Sequence, residues 1–213
     1  SGTSVEVLGI IGSRDLLSDN LEATLGRIYS DYPMVSHFQI GNEFDNPKIN
    51  DGLKMDAKQY MDIFNRVYAY TINNRPDITL VAGATMTGSN GAQMLSDMID
   101  GGLNKLNPNK VIISMNIYHV EEASPYVIPL SRLSGFTIWV TESGVKNPAE
   151  HIKFVENSYP TIKSLVRAAR MYWYALWAGD SPSDGDYDFG LITNATTANI
   201  TERDLFKALT GGI

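Results

Sequence analysis

The chain of 213 residues contains no cysteine. Disulfides, thiolate nucleophiles and cysteine-ligated zinc are therefore excluded, while the absence fits either side of a membrane and leaves the compartment open. Histidine is scarce, with only three, His37, His119 and His151, and none has zinc-ligand spacing. No apolar run approaches the roughly 20 residues needed to cross a bilayer. The formal net charge is −7 and no Lys/Arg cluster is present. Phosphate recognition depends on such clusters, so neither a nucleic acid nor an anionic membrane is an expected partner. The glycines around Gly83, Gly88 and Gly91 lack the Lys and Ser/Thr of a phosphate cradle, which removes nucleotide cofactors from consideration. Asp184, Asp186 and Asp188 alternate, but without the Gly and distal Glu of an EF-hand loop they predict no metal. Ser1-Gly2-Thr3-Ser4 lacks the charged and apolar regions of a signal peptide and reads as a cut. Asn194-Ala195-Thr196 and Asn199-Ile200-Thr201 fit the glycosylation tripeptide, a pattern common by chance and relevant only in a eukaryotic secretory pathway.

What is present is an alternation of short apolar strands with stretches of helical period, the pattern of an α/β fold with a parallel sheet. Strands are predicted at 5–11, 36–40, 79–84, 111–118, 137–141 and 171–177. Between them Leu21, Leu25 and Ile28 share one helical face behind a Ser18/Asp19 cap. Tyr60, Phe64, Val67 and Thr71 form a second face, stopped before Arg75-Pro76 because proline restricts the residue preceding it. Met94, Leu95, Met98 and Ile99 mark a third helix closed by Gly101-Gly102, and Ile162, Leu165, Val166 and Ala169 a fourth. A last helix is expected to open at Thr201 and to bury Leu205, Phe206 and Leu209. No repeat or linker interrupts the pattern, so residues 1–213 read as one domain. Six β/α units are two short of a closed eight-stranded barrel, which typically needs about 250 residues. The edge left by the gap is expected to be covered by a loop or by a second copy in a homodimer.

Two carboxylates occupy matching places. Glu43 ends His37-Phe38-Gln39-Ile40-Gly41-Asn42-Glu43, and Glu142 ends Ile138-Trp139-Val140-Thr141-Glu142. Barrel enzymes carry their catalytic groups at this end of the strands, where the βα loops build the site. With a side-chain period of two, Gln39, Gly41 and Glu43 share a face, as do Ile138, Val140 and Glu142, so both carboxylates are able to point toward the barrel axis. Glycoside hydrolysis needs such a pair, one carboxyl protonated and the other ionised.

Phe38-Gln39-Ile40-Gly41-Asn42-Glu43 resembles the Asn-Glu motif closing the fourth strand of the (β/α)8 glycoside hydrolases of clan A. Trp139-Val140-Thr141-Glu142-Ser143-Gly144 resembles the clan's seventh-strand motif, Ser114-Met115-Asn116-Ile117-Tyr118 its sixth, and Met171-Tyr172-Trp173-Tyr174-Ala175-Leu176-Trp177 its eighth. Phe189-Gly190-Leu191-Ile192 and the last helix are similar to its closing segment. The match runs in order over nearly the whole chain and implies an incomplete (β/α) TIM-type barrel corresponding to strands three to eight. The resemblance further implies a retaining glycoside hydrolase of an oligo- or polysaccharide, needing no cofactor. In it Glu142 is the nucleophile, Glu43 the acid/base, Asn42 a contact to the sugar 2-hydroxyl and Tyr118 the residue orienting Glu142. It implies a secreted or periplasmic location. Asn116 stands where many members have His, and units one and two have no counterpart.

Around this pair, Ser114, Asn116 and Tyr118 form an inward polar stripe, His119 follows it toward the cleft, and Asn116 joins the sugar contacts. Trp139, opposite Glu142 in phase, is expected to pack against helices. Trp177, rather than Trp173, is expected to stack on a pyranose, whose C–H face is apolar. Glu121 and Glu122 read as loop carboxylates in solvent, with a substrate contact open to Glu121, and His37 and His151 as structural or exposed. The rival reading is a catalytically impaired carbohydrate-binding or interaction module on the shortened barrel. A proton-abstracting barrel enzyme is less consistent with paired strand-end glutamates.

Overall fold

The computed structural model describes residues 6–177, 179, 181–183, 185–193 and 201–210. Its strands are β1 (Leu8–Ile11), β2 (His37–Asn42), β3 (Thr79–Ala84), β4 (Val111–Asn116), β5 (Thr137–Ser143), β6 (Arg170–Trp173), β7 (Ile192–Thr193) and β8 (Thr201–Glu202). Its helices are α1 (Ser13–Leu16), α2 (Leu21–Asp31), α3 (Ala57–Asn74), α4 (Gly88–Asp100), α5 (Val120–Ala123), α6 (Val127–Ser131), α7 (His151–Val166) and α8 (Asp204–Thr210). The first six strands form one parallel sheet in the order β1-β2-β3-β4-β5-β6, and β7 pairs antiparallel with β8. This is an incomplete TIM-like barrel.

The sheet carries helices on one face because every strand contributes apolar residues to both faces while each helix has only one apolar stripe. The helix side holds the main core, where Ile11, Phe38, Ile40, Leu80, Ala82, Ile113 and Val140 meet Leu25, Tyr60, Phe64, Val67 and Leu95. The inner side holds a smaller cluster of Val81, Ile112 and Trp139 with Leu8 and Tyr172. The sheet curls around this cluster. The His37 and Trp139 rings, from β2 and β5, lie 5.2 Å apart, and Arg170 at the start of β6 donates to Glu6 ahead of β1 at 2.5 Å.

Helix boundaries follow local chemistry with some departures from the sequence expectations. Asp56 caps α3 by accepting from the Gln59 N–H at 2.8 Å, and α3 stops at Asn74 ahead of the proline. Gly101 and left-handed Gly102 close α4 as expected. The Ser18/Asp19 cap is corrected: Asn20 occupies the cap position of α2, and its N–H turns back to the Ser18 hydroxyl at 3.3 Å. Thr201 belongs to β8, so α8 begins only at Asp204, and α7 ends at Val166, before Ala169. The predicted strands at 111–118 and 171–177 are shorter in the fold, ending at Asn116 and Trp173, because the chain leaves the sheet there to build the loops above it. Val5, Asp184, Asn194 and Asn199 lie outside the described residues, and the early strand is seen from Leu8.

The outer edge of β1 has no strand partner among the described residues. Val7 and Ile10 are about half exposed there and line one groove with Tyr32, and none of the described residues supplies the expected cover. The opposite constraint operates between β2 and β3. A Cβ on Gly83 would come within 2.2 Å of the Ile40 carbonyl oxygen and 2.6 Å of that of Gly41. The Tyr60 hydroxyl closes the same junction, accepting from the Gly83 N–H at 2.6 Å and donating to the Ile40 carbonyl at 2.8 Å. Backbone cannot yield there as a flexible side chain would. Gly83→Ala is expected to lower unfolding stability by about 1–3 kcal/mol, read as a reduced urea midpoint, while Gly185→Ala, which meets nothing within 4 Å, leaves it unchanged.

Candidate active site

The acidic residue after β2 reaches its place by a turn rather than by strand alternation. Gly41 and Glu43 both have left-handed backbone, with φ of 79° and 40°. The ladder to β3 skips Gly41, pairing Ile40 with Ala82 and Asn42 with Ala84, and the Glu43 N–H then donates to the Ala84 carbonyl at 2.7 Å. A left-handed glutamate is uncommon and costs strain that the surroundings must hold. Here Asn46 Nδ2 donates to Glu43 Oε2 at 3.0 Å, and Asn50 Nδ2 donates to the Glu43 carbonyl at 2.8 Å. Asn50 is itself fixed by the Ser13 hydroxyl at 2.9 Å, and Phe44 stacks on Tyr60 with centroids 3.8 Å apart.

On β5 the expected phase is corrected. Ile138 and Val140 face the helices, and Trp139 faces the barrel interior against His37 and Tyr172. Glu142 does not share the face of Ile138 and Val140, because the register slips between Val140 and Ser143 and again opposite Met115/Asn116. An irregularity of this kind re-aims a side chain without changing the strand's path. Both Glu142 oxygens then meet donors, Oε1 the Asn42 NH2 at 2.8 Å and Oε2 the Tyr118 hydroxyl at 2.7 Å. Burial raises the Glu142 pKa above the usual carboxylate range, opposed by these two hydrogen bonds and reinforced by the nearby charge of Glu43. The Tyr118 hydroxyl is pushed upward by burial and by Glu142, which keeps it a donor.

Glu43 and Glu142 line a single open cleft of about 540 Å³, together with Asn42, Tyr118 and His119. Two other expected contacts lie elsewhere. Asn116 is fully buried beneath the cleft, where its NH2 donates at 3.3 Å to both Asn42 Oδ1 and Glu43 Oε1 and its oxygen accepts from Thr141. Its amide is thereby committed to Asn42, Glu43 and Thr141 in the floor of the cleft. Trp177 lies beyond β6, bridged to Ile192 and 44% exposed, and the cleft is lined by Tyr174 in its stead. The reason is the early end of β6 at Trp173, after which alternation no longer describes the chain.

Residues that sequence reasoning passed over complete the wall. Tyr118, Tyr174 and Phe189 form a ring cluster with centroids 5.7–6.4 Å apart. Phe189 is anchored by Trp173, whose indole N–H donates to its carbonyl at 2.8 Å, and by buried His151, whose Nε2 lies 2.9 Å from the Asp188 carbonyl. The Tyr174 hydroxyl donates to Asp186 at 3.0 Å, and burial together with that carboxylate lifts its pKa to about 12. Glu122 is not a free loop carboxylate: it accepts from the N–H groups of Tyr118 and His119 at 2.8 and 3.0 Å and so shapes the turn after β4. The one available signal was the aromatic run from Tyr172 to Trp177 with Phe189 after it; Asp186 and Glu122 carried none. Among the described residues no group of His, Asp and Glu converges in a way that could hold a metal ion.

No family model matches the chain, and no curated protein matches it. Solved structures do. A family 128 exo-β-1,3-glucanase from Aureobasidium namibiae aligns with a TM-score of 0.56 and 11% identity over 88% of this chain and 71% of that one. A family 51 α-L-arabinofuranosidase from Bifidobacterium longum gives 0.59 and 11% over 92% of this chain and 50% of its own, so the chain spans half that enzyme's length. A family 39 β-xylosidase from Caulobacter crescentus gives 0.54 and 15% over 81% and 42%. At these identities the likeness establishes the fold alone: an incomplete TIM-like barrel, with six parallel strands among the described residues.

Proposed function

We propose that the chain carries the active site of a retaining glycoside hydrolase acting on β-linked oligo- or polysaccharides, with Glu142 as nucleophile and Glu43 as acid/base. The observation that carries this reading is that the two carboxylates line one cleft and belong to one hydrogen-bonded chain, Glu43–Asn116–Asn42–Glu142. Ionised Glu142 attacks the anomeric carbon while Glu43 gives its proton to the departing glycosidic oxygen. The glycosyl–Glu142 ester is then opened by water, which loses its proton to Glu43. The ring cluster of Tyr118, Tyr174 and Phe189 gives the sugar an apolar wall.

The test is proton NMR of the first anomeric product released from β-1,3-glucan and aryl β-glycosides. β-Product appearing first supports the reading, and α-product first would overturn the retaining route. Binding of glycans with no turnover on any of these substrates would favour the rival reading as a binding module, for which the β1 edge, without a strand partner among the described residues, is the supporting observation.

The pH profile follows from the same site. Activity rises on the acid side as Glu142 ionises. Tyr118 donates to the ionised form of Glu142, so Tyr118→Phe removes an interaction that lowers its pKa. The acid limb of kcat/KM is expected to move to higher pH in this variant.

A further inference from the structure

Gln39 lies on β2 three residues before Asn42 and is 1% exposed. It faces no solvent and the mechanism above does not use it. Both of its amide hydrogens are committed, one to the Gly41 carbonyl at 3.1 Å and one to Asn42 Oδ1 at 3.2 Å. A backbone carbonyl can only accept, so the Gln39 amide cannot be turned over without setting its oxygen against the Gly41 oxygen. That fixes what Asn42 presents. Its Oδ1 meets two donors, from Gln39 and from Asn116, and its NH2 is left facing Glu142 Oε1 at 2.8 Å. The reversed Asn42 amide would oppose NH2 to two NH2 groups and an oxygen to the Glu142 carboxylate.

We propose that Gln39 is a positioning residue of the cleft, which locks the Asn42 carboxamide in the orientation that donates to Glu142. Direction passes outward from the Gly41 carbonyl through Gln39 and Asn42 to the carboxylate. The left-handed turn at Gly41 is what brings its carbonyl, and the Asn42 side chain after it, within reach of the same amide. The inference deepens the reading of Glu142 as nucleophile and rests on it for its effect on rate, but the geometry can be tested without turnover.

The experiment is a carbon-13 NMR titration of the Glu142 side-chain carboxyl, assigned by its loss in Glu142→Gln, in the wild type, Gln39→Met, Asn42→Ala and the double variant. Gln39→Met keeps the volume and removes the donor. The Glu142 titration is expected to move up in Asn42→Ala, to move up less in Gln39→Met, where Asn116 remains as a donor to Asn42 Oδ1, and to move no further in the double variant than in Asn42→Ala. An unchanged titration in Gln39→Met, or additive shifts in the double variant, would overturn the clamp. Gln39→Glu provides a second route where the methionine variant does not fold. Its ionised form offers no donor and its protonated form restores one, so the Asn42–Glu142 bond should be lost near neutral pH and regained in acid. An Asn42 side-chain amide resonance insensitive to pH in Gln39→Glu would equally overturn the proposal. In an active preparation Gln39→Met lowers kcat about tenfold with KM within about twofold. A wild type that turns over no glycoside removes the functional reading and leaves the clamp to be decided by the titration alone.

Discussion

Glu142→Ala is expected to lower kcat on aryl β-glycosides by about 10⁴-fold or more, and added azide is expected to restore much of it. In the proposed mechanism the loss follows from removing the atom that forms the covalent bond. No neighbour can substitute, because Tyr118 is held protonated by burial and Asn42 is an amide. Azide fits the space that the shortened side chain leaves and attacks the anomeric carbon from the same side, releasing the aglycone and forming an α-glycosyl azide. Chromatography and NMR of the product measure this directly. Turnover in Glu142→Ala close to that of the wild type would remove Glu142 from the chemistry, whatever the geometry of the cleft. The variant's fold is protected by the position of Glu142 at the cleft wall, where truncation opens onto solvent space and makes no closed cavity.

Glu43→Ala is expected to divide substrates by their leaving groups. Proton donation by a placed acid contributes about 10²–10⁴-fold when the departing alkoxide is poor. A nitrophenolate leaves without that help. Hydrolysis of an unactivated β-glycan should therefore fall by about 10²–10⁴-fold, while the first step on a dinitrophenyl glycoside changes little and the glycosyl–Glu142 ester accumulates. A burst of dinitrophenol followed by slow release is the expected trace, and mass spectrometry of the quenched protein should find the sugar on Glu142. Equal losses on both substrates would assign Glu43 to binding or structure. Alanine at this position also has to adopt the left-handed backbone of Glu43, so a circular dichroism comparison with Glu43→Gln belongs to the measurement.

Much of this was legible in the chain itself. Alternation of apolar segments with helical periods is a local property, so the six parallel strands and the helices at Leu21, Tyr60 and Leu95 could be read before any contact was known. The proline after Arg75 and the glycines at 101 and 102 act on their own backbone, and they ended their helices where expected. Glu43, Glu142, Asn42, Tyr118 and His119 were recognisable because strand-end motifs keep their residue types together in sequence, and all five line the cleft. What the tertiary structure alone decided was direction. A period of two counted back from Glu142 assigns Trp139 to the helices, yet the register slips beyond Val140 re-aim Glu142 while Trp139, alternating regularly with Ile138 and Val140, faces inward. A slip is a property of two paired strands, and neither strand announces it by itself. The same holds for Asn116, whose burial beneath Asn42 and Glu43 depends on three strands meeting, and for Tyr174 in place of Trp177, which depends on where β6 leaves the sheet. Sequence named the carboxylates and their strands; only the packed sheet determined which atoms face each other across the cleft, because side-chain direction is set by neighbours distant in the chain.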